Sequence, residues 1–130
     1  MQRRGLTLSS RHLTLSSRKR SERVFVKPPE DLRRRVLDAS LALIASEGLE
    51  AFSMREVARR AGVSHQAPYH HFPDREAIMA AIVAEGFARL REETLAAGEG
   101  ASDAFDRLTR IGRAYVGFAL RHPAHFKLMF

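Results

Sequence analysis

At 130 residues and 14.6 kDa, with 45% apolar and 28% charged side chains, the chain has room for one modest domain around a single core. It contains no cysteine, which excludes a disulfide framework, a thiolate zinc site and a cysteine nucleophile. No apolar run reaches the roughly 18 residues of a membrane-spanning helix, and no secretory signal opens the chain. The formal charge of +7 sits at one end: residues 1–29 carry eight Arg or Lys and one acid, whereas 30–130 carry fourteen of each. A case for nucleic-acid binding by the folded part therefore has to come from local arrangement.

Residues 1–29 hold the one obvious repeat, Leu-Thr-Leu-Ser-Ser-Arg at 6–11 and again at 13–18, too short for a solenoid. Rich in Ser and Arg and bounded by Lys27-Pro28-Pro29, the segment reads as a disordered basic tail. Three roles stay open for it: a solvated tail or over-extended start, a DNA-contacting arm, and an organellar transit peptide. From Glu30 the pattern is helical. Leu32, Val36, Leu43 and Ile44 share a face, Arg33, Arg34, Arg35 and Asp38 fall mostly off it, and Gly48 ends a first helix over 30–47. Ser53 is the N-cap of a second helix, with Glu56 placed to close a capping box and Phe52 to staple onto Val57. Ala61-Gly62-Val63 stops that helix within about two turns, and Ser64 reads as a second N-cap. Two short helices across a Gly turn fit a helix-turn-helix, with Ala58 and Ala61 small at the crossing; an ordinary helical hairpin without a ligand is the alternative.

Further along, Ile78, Ile82, Phe87, Leu90 and Leu95 mark the buried side of a long helix over 75–97, with Glu85, Arg89, Arg91, Glu92 and Glu93 exposed. Gly98-Glu99-Gly100 breaks it, and Ser102 or Asp103 restarts the chain. Phe105, Leu108, Ile111, Tyr115 and Phe118 form the next stripe, ended by His122-Pro123. The expected fold is all-α.

The run Ser53-Met54-Arg55-Glu56-Val57-Ala58, then Ala61-Gly62-Val63-Ser64, then Ala67-Pro68-Tyr69-His70-His71-Phe72-Pro73-Asp74-Arg75-Glu76-Ala77 resembles the N-terminal domain of the tetracycline-repressor (TetR) family of bacterial transcriptional regulators. The likeness runs in register over 32–82, and 115–119 and 122–130 more loosely resemble the opening of its regulatory domain. It implies a three-helix DNA-binding head over 30–75, whose third helix, about 64–72, enters the major groove, followed over 76–130 by a linking helix and a truncated effector and dimerisation domain. On that helix His65 and Gln66 occupy the first exposed turn, where Gln pairs with adenine and His donates to guanine acceptors. Ala67 permits close approach, Tyr69 and His70 reach phosphates, and Arg55 and Arg75 clamp flanking phosphates beside the helix starts behind Ser53, Ser64 and Asp74. Pro68 departs from the aliphatic residue usual in the family and predicts a short or distorted recognition helix.

The resemblance implies a palindromic double-stranded DNA operator and a homodimer, weakened because the sequence ends at Phe130, with a small-molecule effector left unidentified. A cytoplasmic repressor is the expected function. The rival reading is a helical interaction module that forms mixed dimers with a longer paralogue and holds no operator alone. Neither catalytic constellation nor cofactor site is expected, and the apolar stripe after Phe105 is the sole feature behind an enzyme or small-molecule carrier. His65, His70 and His71 do not share a face and are not expected to bind metal. His122 and His125, at a helix end, read as cap or solvent contacts.

Overall fold

The computed structural model describes residues 29–130, with side chains from residue 31, so the basic segment and its repeat lie outside the described residues. Helix α1 spans Pro29–Glu47, a 3-10 turn covers Leu49–Ala51, and α2 runs Met54–Ala61. A second 3-10 helix, Ala67–His70, precedes α3, Arg75–Gly98, which is followed by α4, Ala104–Arg121, and α5, Pro123–Met129. The described residues hold no strand.

Local chemistry sets most of these boundaries. The side chains of Ser53, Asp74 and Asp103 each accept the amide three residues on, at 3.1, 2.8 and 2.8 Å, satisfying amides that the first helical turn leaves without a carbonyl. Gly62 closes α2 at φ 68°, a left-handed conformation that costs glycine nothing. The reciprocal half of the capping box does not form, because the Glu56 carboxylate turns to Arg59 and Arg60 instead of the Ser53 amide.

One core runs through the assembly. Val36, Leu37, Leu43 and Ile44 of α1 pack with Phe52, Val57, Phe72, and Ile78 and Ile82 of α3. Ala124 and Leu128 of α5 lean on the same cluster, so the core draws on both sides of position 75. Gly86 admits this docking: a Cβ there would run into Sδ of Met129 and stand 3.5 Å from Cβ of His125.

Several side chains lie elsewhere than their periodicity predicts. Phe87 and Leu95 are exposed on α3. Glu85, expected at the surface, is half-buried, because α1 and α5 each deliver a donor to it. Arg34 hydrogen-bonds Glu85, and Nε2 of His125 lies 2.9 Å from Oε1 of the same carboxylate. His125 is 5% exposed, a core histidine rather than a solvent contact. His122 packs on Phe118, with ring centroids 4.9 Å apart, and burial pushes its pKa down. The α4 stripe also divides. Phe118 is fully buried and Ile111 half-buried, and Tyr115 meets Phe126 edge-on, whereas Phe105 and Leu108 face solvent.

Candidate nucleic-acid interface

The expected recognition helix over 64–72 is a turn followed by the four-residue 3-10 helix Ala67–His70. Proline is the physical reason. In an α-helix the amide of residue 68 would bond the Ser64 carbonyl, but Pro68 has no N–H and its ring would crowd that oxygen. The chain instead closes three-residue turns, Ala67 N–H to Ser64 O and Tyr69 N–H to Gln66 O, both at 3.1 Å. The Pro68 carbonyl then accepts both the His71 and Phe72 amides, at 3.1 and 3.0 Å. Ser64 is therefore no side-chain N-cap: its backbone oxygen does the bonding, and no side-chain cap bond opens the 3-10 helix.

Three residues per turn sort the side chains by face, since positions i and i+3 eclipse. Pro68 is buried against the core. Gln66 eclipses Tyr69, which is 48% exposed, and Ala67 eclipses His70; of these four only Ala67 is half-buried and the rest are exposed. Ser64 and His65, in the turn just before, are exposed as well, and His71 is half-buried beside Phe72. The anchored proline thus holds a short edge of amide, imidazole and phenol groups outward.

Helix starts and cations flank that edge. Ser53 and Arg55, at the start of α2, and Arg75, the first residue of α3, are exposed. The Arg75 guanidinium lies over the Phe52 ring at 5.6 Å from its centroid, so the first residue of α3 reaches the residue that precedes the Ser53 cap of α2. The Arg33 guanidinium of α1 lies in the same way over the Phe72 ring, 5.4 Å from its centroid. Arg33 was not among the residues singled out from the sequence. Its position off the apolar face of α1 marks it as a surface cation and no more, because the contact with Phe72 spans 39 residues.

Of the seven arginines in 30–75, four are occupied by the fold. Arg34 serves Asp38 and Glu85, Arg35 donates to the Ala61 carbonyl at 2.6 Å, Arg59 pairs with Glu56 at 2.6 Å, and Arg60 reaches Glu47 at 2.9 Å. The hydrogen bond from Arg59, aided by Arg60, holds the Glu56 carboxyl down at about 2, so that pair is internally neutralised at any ordinary pH. Arg33, Arg55 and Arg75 remain. Among the described residues no carboxylate stands within ion-pair distance of Arg33 or Arg55, and Arg75 has only Glu76 at 3.9 Å. The described residues also hold no cluster of His, Asp and Glu able to grip a metal ion and no helix long and apolar enough to cross a membrane.

Comparison with known proteins places this arrangement. Residues 36–82 match the family model described as bacterial regulatory proteins, tetR family. The chain is 34% identical over 85 residues to the HTH-type transcriptional regulator BetI of Rhizobium meliloti, covering 65% of this chain and 42% of that protein. It is 35% identical over 88 residues to the HTH-type transcriptional repressor KstR of Rhodococcus jostii, covering 60% of this chain and 42% of that protein. The chain thus spans less than half the length of these curated relatives. Among solved structures, a protein of unknown function from Rhodococcus sp. RHA1 aligns at TM-score 0.66 with 41% identity, over 75% of this chain and 51% of that one. A TetR family transcription regulator from Marinobacter aquaeolei VT8 shares the fold at TM-score 0.67 and 22% identity, over 77% of this chain and 52% of that one. The capped short helix, the glycine turn and the outward edge behind it make up, within residues 36–82, an N-terminal helix-turn-helix domain of the tetR family of bacterial regulatory proteins.

Proposed function

We propose that the chain is a sequence-specific DNA-binding transcriptional regulator, a cytoplasmic repressor that acts by occupying its operator and not by catalysis. Residues 30–75 form the DNA-binding head and 76–130 the link and the start of the effector and dimerisation region. The observation that carries this reading is the 3-10 edge: Pro68 is buried beneath it while Gln66, Tyr69 and His70 stand exposed, with the capped N-termini of α2 and α3 before and after it in the chain, and with Arg33 and Arg55, which meet no carboxylate among the described residues, and Arg75, which has only Glu76 at 3.9 Å. Gln66 and His65 read base edges in the major groove, and Ala67 allows the backbone to approach. Tyr69, His70, Arg55 and Arg75, with the amides behind Ser53 and beside Ser64, hold phosphates.

Selection of duplexes from a random-sequence pool by the full chain tests the reading, and a pool that yields no enriched sequence refutes it. On the enriched duplex, Gln66→Ala lowers affinity about tenfold and relaxes preference at particular base pairs, whereas Arg75→Ala weakens every duplex alike. Equal losses for Gln66→Ala on all sequences would remove it from base reading.

A palindromic operator and a homodimer belong to the same proposal, with a small-molecule effector acting through α3. One observation also favours the rival module that pairs with a longer paralogue: Phe105, Leu108, Val116 and Leu120 stand exposed along α4. A chain that enriches duplexes only when mixed with that paralogue decides for the rival.

A further inference from the structure

We propose that Arg33 of α1 is a phosphate-binding residue, set in place by the Phe72 ring and forming with Arg75 on Phe52 a pair of aromatic-seated clamps beside the recognition edge. This inference rests on the DNA-binding reading and extends it to a helix that supplies none of the residues assigned so far. Two features of Arg33 carry it. Its guanidinium lies 5.4 Å above the centroid of a ring that is itself 3% exposed, so the aromatic platform is fixed by the core. Phe72 also ends the recognition segment, because its amide bonds the Pro68 carbonyl at 3.0 Å, so a cation seated on Phe72 stands at the edge's C-terminal side.

The charges around Arg33 point the same way. Its two neighbours on α1 are occupied, Arg34 by Asp38 and Glu85 and Arg35 by the Ala61 carbonyl, while Arg33 is exposed with no carboxylate at ion-pair distance among the described residues. An arginine that meets no acid among the described residues, on a surface otherwise balanced between signs, is available to an anion. A guanidinium stacked by one face still presents its in-plane N–H donors outward, the geometry a phosphate oxygen pair accepts. Seating on a ring restricts the rotamers that a free arginine would lose on binding. Arg75 repeats the device on a second ring, 5.6 Å from the Phe52 centroid. The two platforms are both core phenylalanines of the same cluster, so the spacing of the clamps is set by the core.

The test is the salt dependence of binding by the full chain, read by fluorescence anisotropy on the duplex that the wild type enriches from a random pool. Arg33→Ala is expected to lower the slope of log affinity against log salt by about one and to raise Kd about fivefold, equally on enriched and scrambled duplexes. Arg33→Lys restores the slope because it keeps the charge. An unchanged slope in Arg33→Ala overturns the proposal, and so does a slope that Arg33→Lys fails to restore, which would assign the loss to packing on Phe72. If Arg33→Ala does not fold by circular dichroism, Arg33→Gln, which keeps a stem over the ring, carries the same expectation. A wild-type chain that enriches no duplex defeats the DNA-binding reading itself; a wild type that binds, with variants whose slopes match it, defeats the Arg33 clamp alone.

Discussion

Single residues decide where this chain turns, and the glycine between α2 and the recognition segment shows how narrowly. Gly62 holds φ 68°, its amide bonds the Arg59 carbonyl at 3.2 Å, and the following Val63 amide bonds the Ala58 carbonyl at 3.0 Å. A side chain there meets Nη2 of Arg35 at 3.4 Å, an ordinary contact, so space is not the obstacle; the left-handed backbone is. Gly62→Ala is therefore expected to destabilise by about 1–2 kcal/mol, read as a lower midpoint in urea unfolding. Because the turn aims the recognition segment, the same variant loses affinity for the enriched duplex beyond what its stability explains. The turn and its caps were legible in the sequence because each is a bond across three or four residues. Ser53 to the Glu56 amide and Asp74 to the Ala77 amide need no knowledge of the rest of the fold. Glu56 shows the limit of that locality: the capping-box pattern is present, but two arginines on the same helix outbid the backbone amide for its carboxylate. Ser64 shows it too, since the proline four residues on removes the α-helical turn that a serine cap would start.

At the scale of elements, the coupling of α1, α3 and α5 through Glu85 is the feature the sequence concealed. Helical periodicity says which side of a helix is apolar, and says nothing of a carboxylate that becomes half-buried because an arginine 51 residues away and a histidine 40 residues away both arrive at it. Phe87 and Leu95 fail in the opposite sense: they lie on the apolar side of α3, yet Phe87 stays 45% and Leu95 50% exposed, the Phe87 ring meeting the Phe130 ring edge-on at 5.6 Å between centroids. The state of Glu85 makes the coupling testable. Burial acts to raise its pKa, but hydrogen bonds from Arg34 and His125, with the charges of Arg34 and Arg89, outweigh it and hold the carboxyl below its usual range. A carboxyl whose folded pKa lies below its unfolded value contributes stability that is fully present above the unfolded pKa and is lost as pH falls towards the folded one. Glu85→Gln is therefore expected to cost about 1–2 kcal/mol near neutral pH and progressively less below the ordinary carboxylate pKa of about 4.3. Thermal unfolding by circular dichroism across that range measures the difference, and a gap between wild type and variant that stays constant with pH would show that the carboxylate's charge is irrelevant.

For the whole molecule, exposed apolar area is distributed unevenly between the helix-turn-helix domain and α4. Residues 30–75 bury most of their large apolar side chains, leaving Leu49 and Tyr69 exposed. Along α4 the pattern reverses: Phe105 is 79%, Leu108 68% and Leu120 77% exposed, and Leu108, Gly112, Val116 and Leu120 recur every four residues along one outward face. Gly112 sits in the middle with nothing within 4 Å of an added Cβ, so a second helix could approach closely there. An outward apolar face of this kind is stabilised by removal from water at about 25 cal/mol per Å², and a two-fold pairing buries it twice over. The homodimer proposed above thus has a specific seam to be tested. Leu108→Glu combined with Leu120→Glu is expected to lower the mass of the full chain in light scattering from dimer to monomer. The change lies far in sequence from the recognition edge, so the variant should still bind single half-sites, with the salt dependence of one head, while losing its preference for palindromes over half-sites. If the unaltered chain is already monomeric at high concentration, or if the double variant keeps the dimer mass, the α4 face is not the seam and the palindromic mode must find another.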